Sequence, residues 1–173
     1  MNLFNQIINA VNNPEQEANS GQLAGIFNTV QQLTSSSQTN SESMQSAISI
    51  VGNFTRSALQ QKRETQGEEG VQQIINQFGG TQASSAVLPM LFNSTQLQDM
   101  TQAVTNQTGI SSQIVQSMLP TLVPLILNVL KTGNNFQNPL ANNSVLNQFL
   151  DADGDGDVDI ADAIQMASRY MNP

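Results

Sequence analysis

Apolar residues recur along this chain at intervals of three and four, the spacing of one face of an α-helix. Leu3, Phe4, Ile7, Ile8 and Val11 make a first stripe, which ends before Pro14. Leu23, Ile26, Phe27, Val30 and Leu33 make a second, with Asn19 and Gln22 spaced as a capping box at its start. The Ser/Thr/Asn/Gln tract from Thr34 to Ser43 reads as a loop. Met44, Ala47, Ile48, Val51, Phe54, Ala58 and Leu59 form a third, longer stripe. Gly67 and Gly70 then bracket Glu68 and Glu69, as either a turn or a weak point in one long helix. Val71, Ile74, Ile75 and Phe78 resume the period, and Gly79-Gly80 is expected to stop it with a left-handed cap.

The pattern continues with a short helix over Ala83 to Phe92. A further one starts at Thr95 and Gln98, carries Leu97, Met100 and Val104, and ends at Gly109. Ile114 to Leu130 is the most apolar helix, ended by Gly133. Its densest run, Met118 to Leu130, is too short to cross a bilayer and is interrupted by Pro120 and Pro124. It therefore reads as a buried, kinked core helix, and no membrane span is expected. No stretch alternates with period two, and no internal repeat stands out. The expected architecture is all-α: a multi-helix bundle with a C-terminal, single EF-hand-like helix-loop-helix. The helical core domain is placed at 1–133, an Asn-rich linker at 134–143 and the small module at 144–173.

Composition narrows the chemistry. The 173 residues include no Cys and no His, so thiolate zinc sites and imidazole bases are both absent. Five Lys+Arg against 13 Asp+Glu give a net charge of -8, the opposite of a nucleic-acid footprint. With 20 Asn and 23 Gln, a quarter of the chain is side-chain amide, so neutral polar groups solvate most of the surface. The N-terminus shows neither a basic n-region nor a long apolar h-region, so no signal peptide is expected and the chain reads as cytoplasmic. The lack of cysteine suits an exported protein equally well.

The acids are concentrated. Six of the 13 fall between Asp151 and Asp162, and without them the net charge is only -2. Asp151-Ala-Asp153-Gly-Asp155-Gly156-Asp157-Val158-Asp159-Ile160-Ala161-Asp162 fits an EF-hand calcium loop. Calcium is a hard cation that takes six to eight oxygens, and alternate residues of a tight loop can aim carboxylates at one point. Asp151, Asp153 and Asp155 fill positions 1, 3 and 5, and Gly156 permits the sharp turn at position 6. Asp157 offers its backbone carbonyl, Asp159 acts directly or through water, and Asp162 closes the sphere at position 12. Val145, Leu146, Phe149 and Leu150 make one face of an entering helix. Ile160, Ala163, Ile164, Ala167 and Tyr170 make one face of an exiting helix.

Asp151 to Tyr170, with Arg169-Tyr170 trailing the loop, resembles one calcium-binding half of a dockerin. Dockerins carry two halves and bind cohesins; this chain has one. Ile160 and Ala161 stand where many dockerins carry a Ser/Thr recognition pair, so cohesin binding is not carried over. The body resembles a family of uncharacterised bacterial helical proteins frequent in cyanobacteria. That likeness rests on the Met1-Asn-Leu-Phe4 start, Ser57-Ala-Leu-Gln-Gln-Lys-Arg63, Met118-Leu-Pro-Thr-Leu-Val-Pro124 and the Asp-rich loop. It implies no activity.

Other constellations read as structural. Glu15/Glu17 and Glu68/Glu69 are expected to be solvated acids, and Arg56, Lys62 and Arg63 a solvated helix face. The sequence thus predicts a non-enzymatic protein with one calcium ion as its cofactor. Its expected partners are the calcium ion and either another protein or a second copy of the chain. The alternative is a structural, self-associating helical protein in which calcium is a static staple.

Overall fold

The computed structural model describes residues 20–80 and 84–131. Every element within them is a helix: α1 (Ser20–Ser36), α2 (Ser41–Phe78), α3 (Val87–Leu91), α4 (Ser94–Thr108) and α5 (Ser112–Lys131). The expected all-α class is therefore observed. The first sequence stripe, Leu3 to Val11, lies outside the described residues.

α5 is the axis of the bundle and packs against all four other helices. Residues 122–130 are buried on every side, as expected of a helix that is apolar all round. Its 20 residues and mean hydropathy of 1.5 would suffice to cross a membrane by length and composition alone. The helix is thus longer than the thirteen-residue run that the sequence suggests. Here 67% of its most apolar window is covered by protein, which is the environment of a core helix.

α2 settles the question posed by Gly67. At about 100° per residue, Val71, Ile74 and Ile75 of an unbroken helix would face about half a turn away from the Met44–Leu59 stripe. Both stripes are nevertheless buried. Gly67 reconciles them by leaving helical geometry, with φ 76° and ψ 178°, a region essentially restricted to glycine. Glu68 and Glu69 then occupy the first turn of the resumed helix, where carboxylates suit the macrodipole.

The helix ends follow local chemistry. Asn40 caps α2 by accepting from the Ser43 N–H at 2.7 Å. The polar tract between α1 and α2 is shorter than the sequence suggests. α1 runs to Ser36, and within it the Thr34 hydroxyl donates to the Val30 carbonyl at 2.8 Å. α4 starts one residue before the expected Thr95. Its box is Asn93 with Gln96, each side chain meeting the other's backbone N–H at 2.8 and 2.9 Å. Gly109 closes α4 in the left-handed conformation, as expected. Gly79 does not, with φ -65° and ψ 121°. It is small for a different reason: a Cβ there would lie 3.2 Å from the Leu127 backbone.

The core also contains two equivalent hairpins. Adding 71 to the buried positions of the first half of α2 (Met44, Ala47, Ile48, Val51, Gly52, Thr55, Ala58, Leu59) gives Val115, Met118, Leu119, Leu122, Val123, Ile126, Val129 and Leu130. All eight are buried. The turns correspond too. Gln38 at φ 52° matches Gly109 at φ 76°, and the Asn40 cap on Ser43 matches Ser111 accepting from Ile114. α1 and α4 correspond at a shift of 74, with Ile26 on Met100 and Thr34 on Thr108; both threonines bond back to the carbonyl four residues earlier. A repeat that the apolar pattern does not reveal is therefore present in the fold.

Candidate functional site

The sequence places its site at Asp151, Asp153, Asp155, Asp157, Asp159 and Asp162. All six lie outside the described residues, as do the flanking helices, the linker and the domain boundaries at 133/134 and 143/144. Among the described residues no group of three or more His, Cys, Asp or Glu could hold a metal. The described acids, Glu42, Glu64, Glu68, Glu69 and Asp99, are all exposed. Glu68 and Glu69 sit side by side at a helix start, an arrangement that stabilises the helix and has no burial to tune an acid or base. Glu15 and Glu17 lie outside the described residues.

Three of the four described basic residues, Arg56, Lys62 and Arg63, lie on α2, and Lys131 ends α5. Arg56 is half-buried and donates to the Asn53 carboxamide oxygen at 2.6 Å. Lys62 and Arg63 follow it, both half-buried. The fully solvated face expected from the sequence is therefore partly covered.

Sequence reading missed one surface. Asn28, Gln31, Gln32, Ser35 and Ser36 line an open depression of about 690 Å³ along α1. A second depression, about 440 Å³, is shared by Thr29, Gln32, Leu33, Ser36 and Thr121 of α5. Their linings are amides, hydroxyls and one leucine, which can exchange hydrogen bonds but cannot activate a nucleophile or carry a charge. The i, i+4 spacing of Gln31 with Ser35 and of Gln32 with Ser36 marks this face in the sequence. Reading Thr34 to Ser43 as a loop hides it.

A family model described as a bacterial protein of unknown function (DUF937) matches residues 3–133 and, a second time, residues 89–165. No curated protein and no solved structure matches the chain.

Proposed function

The chain belongs to the DUF937 family of bacterial proteins of unknown function, and from that premise we propose that it is a non-enzymatic calcium-binding protein. One ion is held by the Asp151–Asp162 loop. Asp151, Asp153, Asp155 and Asp162 supply carboxylates, Asp157 its backbone carbonyl, and Asp159 a direct or water-mediated contact. The observation that carries this reading is the spacing: acids at positions 1, 3, 5, 9 and 12 around a glycine at position 6. Six carboxylates so close together repel one another strongly unless a cation lies among them. The likeness of Asp151 to Tyr170 to half a dockerin points the same way.

The side-chain inventory argues against catalysis. There is no His or Cys, and the described acids are exposed. The bound module then serves interaction, with a protein or with a second copy of the chain. A structural reading, with calcium as a static staple, is favoured by one observation: the described helices share one continuous cluster of buried apolar residues around α5.

Calorimetry tests the assignment. Asp162 is one methylene shorter than the usual Glu, so bidentate closure is harder and the expected Kd is about 10⁻⁶ to 10⁻³ M. Asp151→Ala and Asp162→Ala should each abolish or greatly weaken the calcium heat. If both variants bind calcium as the parent does, the loop is not the site. Light scattering in calcium and in chelator separates the two roles: a change of mass or shape supports a responsive module, and no change supports a staple.

A further inference from the structure

The shift of 71 that relates the two hairpins does not stop at α5. Ile74-Ile75-Asn76-Gln77-Phe78 closes α2, and 71 residues later the chain reads Val145-Leu146-Asn147-Gln148-Phe149. Three positions are identical and the other two exchange one aliphatic residue for another. The resumed helix of α2 follows the non-helical Gly67 and begins at Glu68. The counterparts are Asn138, a residue that favours helix caps, and Pro139, a residue suited to the first helical position. The family model also matches the chain a second time, over residues 89–165, which include this segment.

The first closing helix does not end against its own hairpin. Gly79 meets the Leu127 backbone, and the Gly80 and Ser84 N–H groups donate to the Pro124 and Pro120 carbonyls at 3.2 and 2.7 Å. Both acceptors and the Leu127 backbone belong to α5, in the second hairpin. Two equivalent units that exchange one element do so reciprocally, because each hairpin offers the same face to the other's helix.

We propose that residues 139–149 form the closing helix of the second unit and dock on α1 and the first half of α2, ending beside Arg56. Arg56 is the counterpart of Leu127, as Leu150 is of Gly79; because Leu150 carries the side chain that Gly79 lacks, this end of the helix stands further from its neighbour than Gly79 does from Leu127. Val145 and Leu146 take the buried roles of Ile74 and Ile75, Phe149 the half-buried role of Phe78, and Ser144 the exposed role of Gln73. Charge complementarity supports the same placement. Three of the chain's five Lys+Arg residues, Arg56, Lys62 and Arg63, lie on α2, and the six aspartates begin at Asp151. The docking stands on the repeat and not on calcium binding, although it decides where the proposed calcium loop sits.

The absence of cysteine in the parent makes the test direct. The full-length Arg56→Cys/Leu150→Cys variant, treated with a short bis-maleimide, should be bridged within one chain in most molecules, as read by intact mass. A folded variant that stays unbridged, or bridges only between two chains, overturns the proposal. Phe149→Ala provides a second readout: it should lower the thermal midpoint of the helical body, while Ser144→Ala should leave it unchanged. An unchanged midpoint for Phe149→Ala also overturns the docking. Calcium calorimetry on the parent keeps the two ideas apart. Bridging without calcium heat removes only the calcium reading, and calcium heat without bridging removes only the docking.

Discussion

Replacing Gly67 by alanine isolates one backbone conformation from everything around it. A Cβ at this position would meet no atom within 4 Å, so the substitution adds no clash with neighbouring groups. What it adds is the strain of holding an L-residue at φ 76°, ψ 178°, about 1–3 kcal/mol for such glycine-restricted regions. The helix has one escape, which is to straighten through residue 67, where alanine is the best helix former. Straightening would turn Val71, Ile74 and Ile75, which are 0%, 4% and 0% exposed, about half a turn away from the core. At about 1.5–3 kcal/mol for each aliphatic side chain, that route costs roughly 5–9 kcal/mol. The kink should therefore persist and the strain be accepted. A smaller unfolded-state entropy in the alanine variant offsets about 0.4–1 kcal/mol of it.

The expected outcome is a net loss of about 1–2 kcal/mol in urea unfolding followed by circular dichroism, with helix content and m-value unchanged. Two results would refute the reasoning. If Gly67→Ala is more stable than the parent, the φ of residue 67 is not positive in solution. If helix content rises while stability falls by less than about 3 kcal/mol, the helix has straightened and the cost of turning the second stripe outward is overestimated.

Two further predictions concern single contacts. Gly79→Ala would place a Cβ 2.6 Å from the Ile75 carbonyl oxygen and 3.2 Å from the Leu127 backbone. Both neighbours are main chain and cannot rotate aside, so overpacking should cost about 1–3 kcal/mol in the same unfolding assay. A neutral result would mean that α2 and α5 are further apart than 3.2 Å implies. Asn93→Ala removes the acceptor for the Gln96 N–H and should cost about 1 kcal/mol. Asn93→Asp should retain most of that stability, and equal loss in both variants would show that the cap is not what matters there.

Much of the fold is legible in the apolar period. The stripes Met44–Leu59, Met100–Val104 and Ile114–Leu130 correspond to buried faces because each helix buries one side, and the last is buried all round over 122–130. The failures have specific causes. Thr34 to Ser36 look like loop residues, but they continue α1, with the Thr34 hydroxyl satisfied by the Val30 carbonyl of the preceding turn. Gly79 resembles a cap because glycine usually marks one, whereas here a neighbouring helix requires the missing side chain. The repeat is hidden because equivalent positions exchange apolar types, Ala47 for Met118 and Thr55 for Ile126, and because the first hairpin is three residues longer than the second. Burial reveals what residue identity conceals. The candidate calcium site is legible only as a ligand pattern, since Asp151 to Asp162 lie outside the described residues.

The paired prolines of α5 show how the two units differ. A proline inside a helix forfeits one hydrogen bond and crowds the carbonyl four residues earlier, at a cost of about 3 kcal/mol. Pro124 leaves the Pro120 carbonyl without its helical donor, and the Ser84 N–H takes that place at 2.7 Å. The Pro124 carbonyl in turn accepts from Gly80. Pro120 frees the Gln116 carbonyl, on a residue that faces solvent. The prolines thus act as acceptors that fasten the connection after the first closing helix, which makes them neither hinges nor simple kinks. Their counterparts in α2 are Ser49 and Asn53, which keep their N–H groups, so the first hairpin lacks this clamp. Under the proposed arrangement the connection after the second closing helix would begin at Asp151, and a cation gathered by the aspartates would fasten there what the Pro120 and Pro124 carbonyls fasten on α5. On that reading the two halves of the repeat share a scaffold and differ in how this one connection is held.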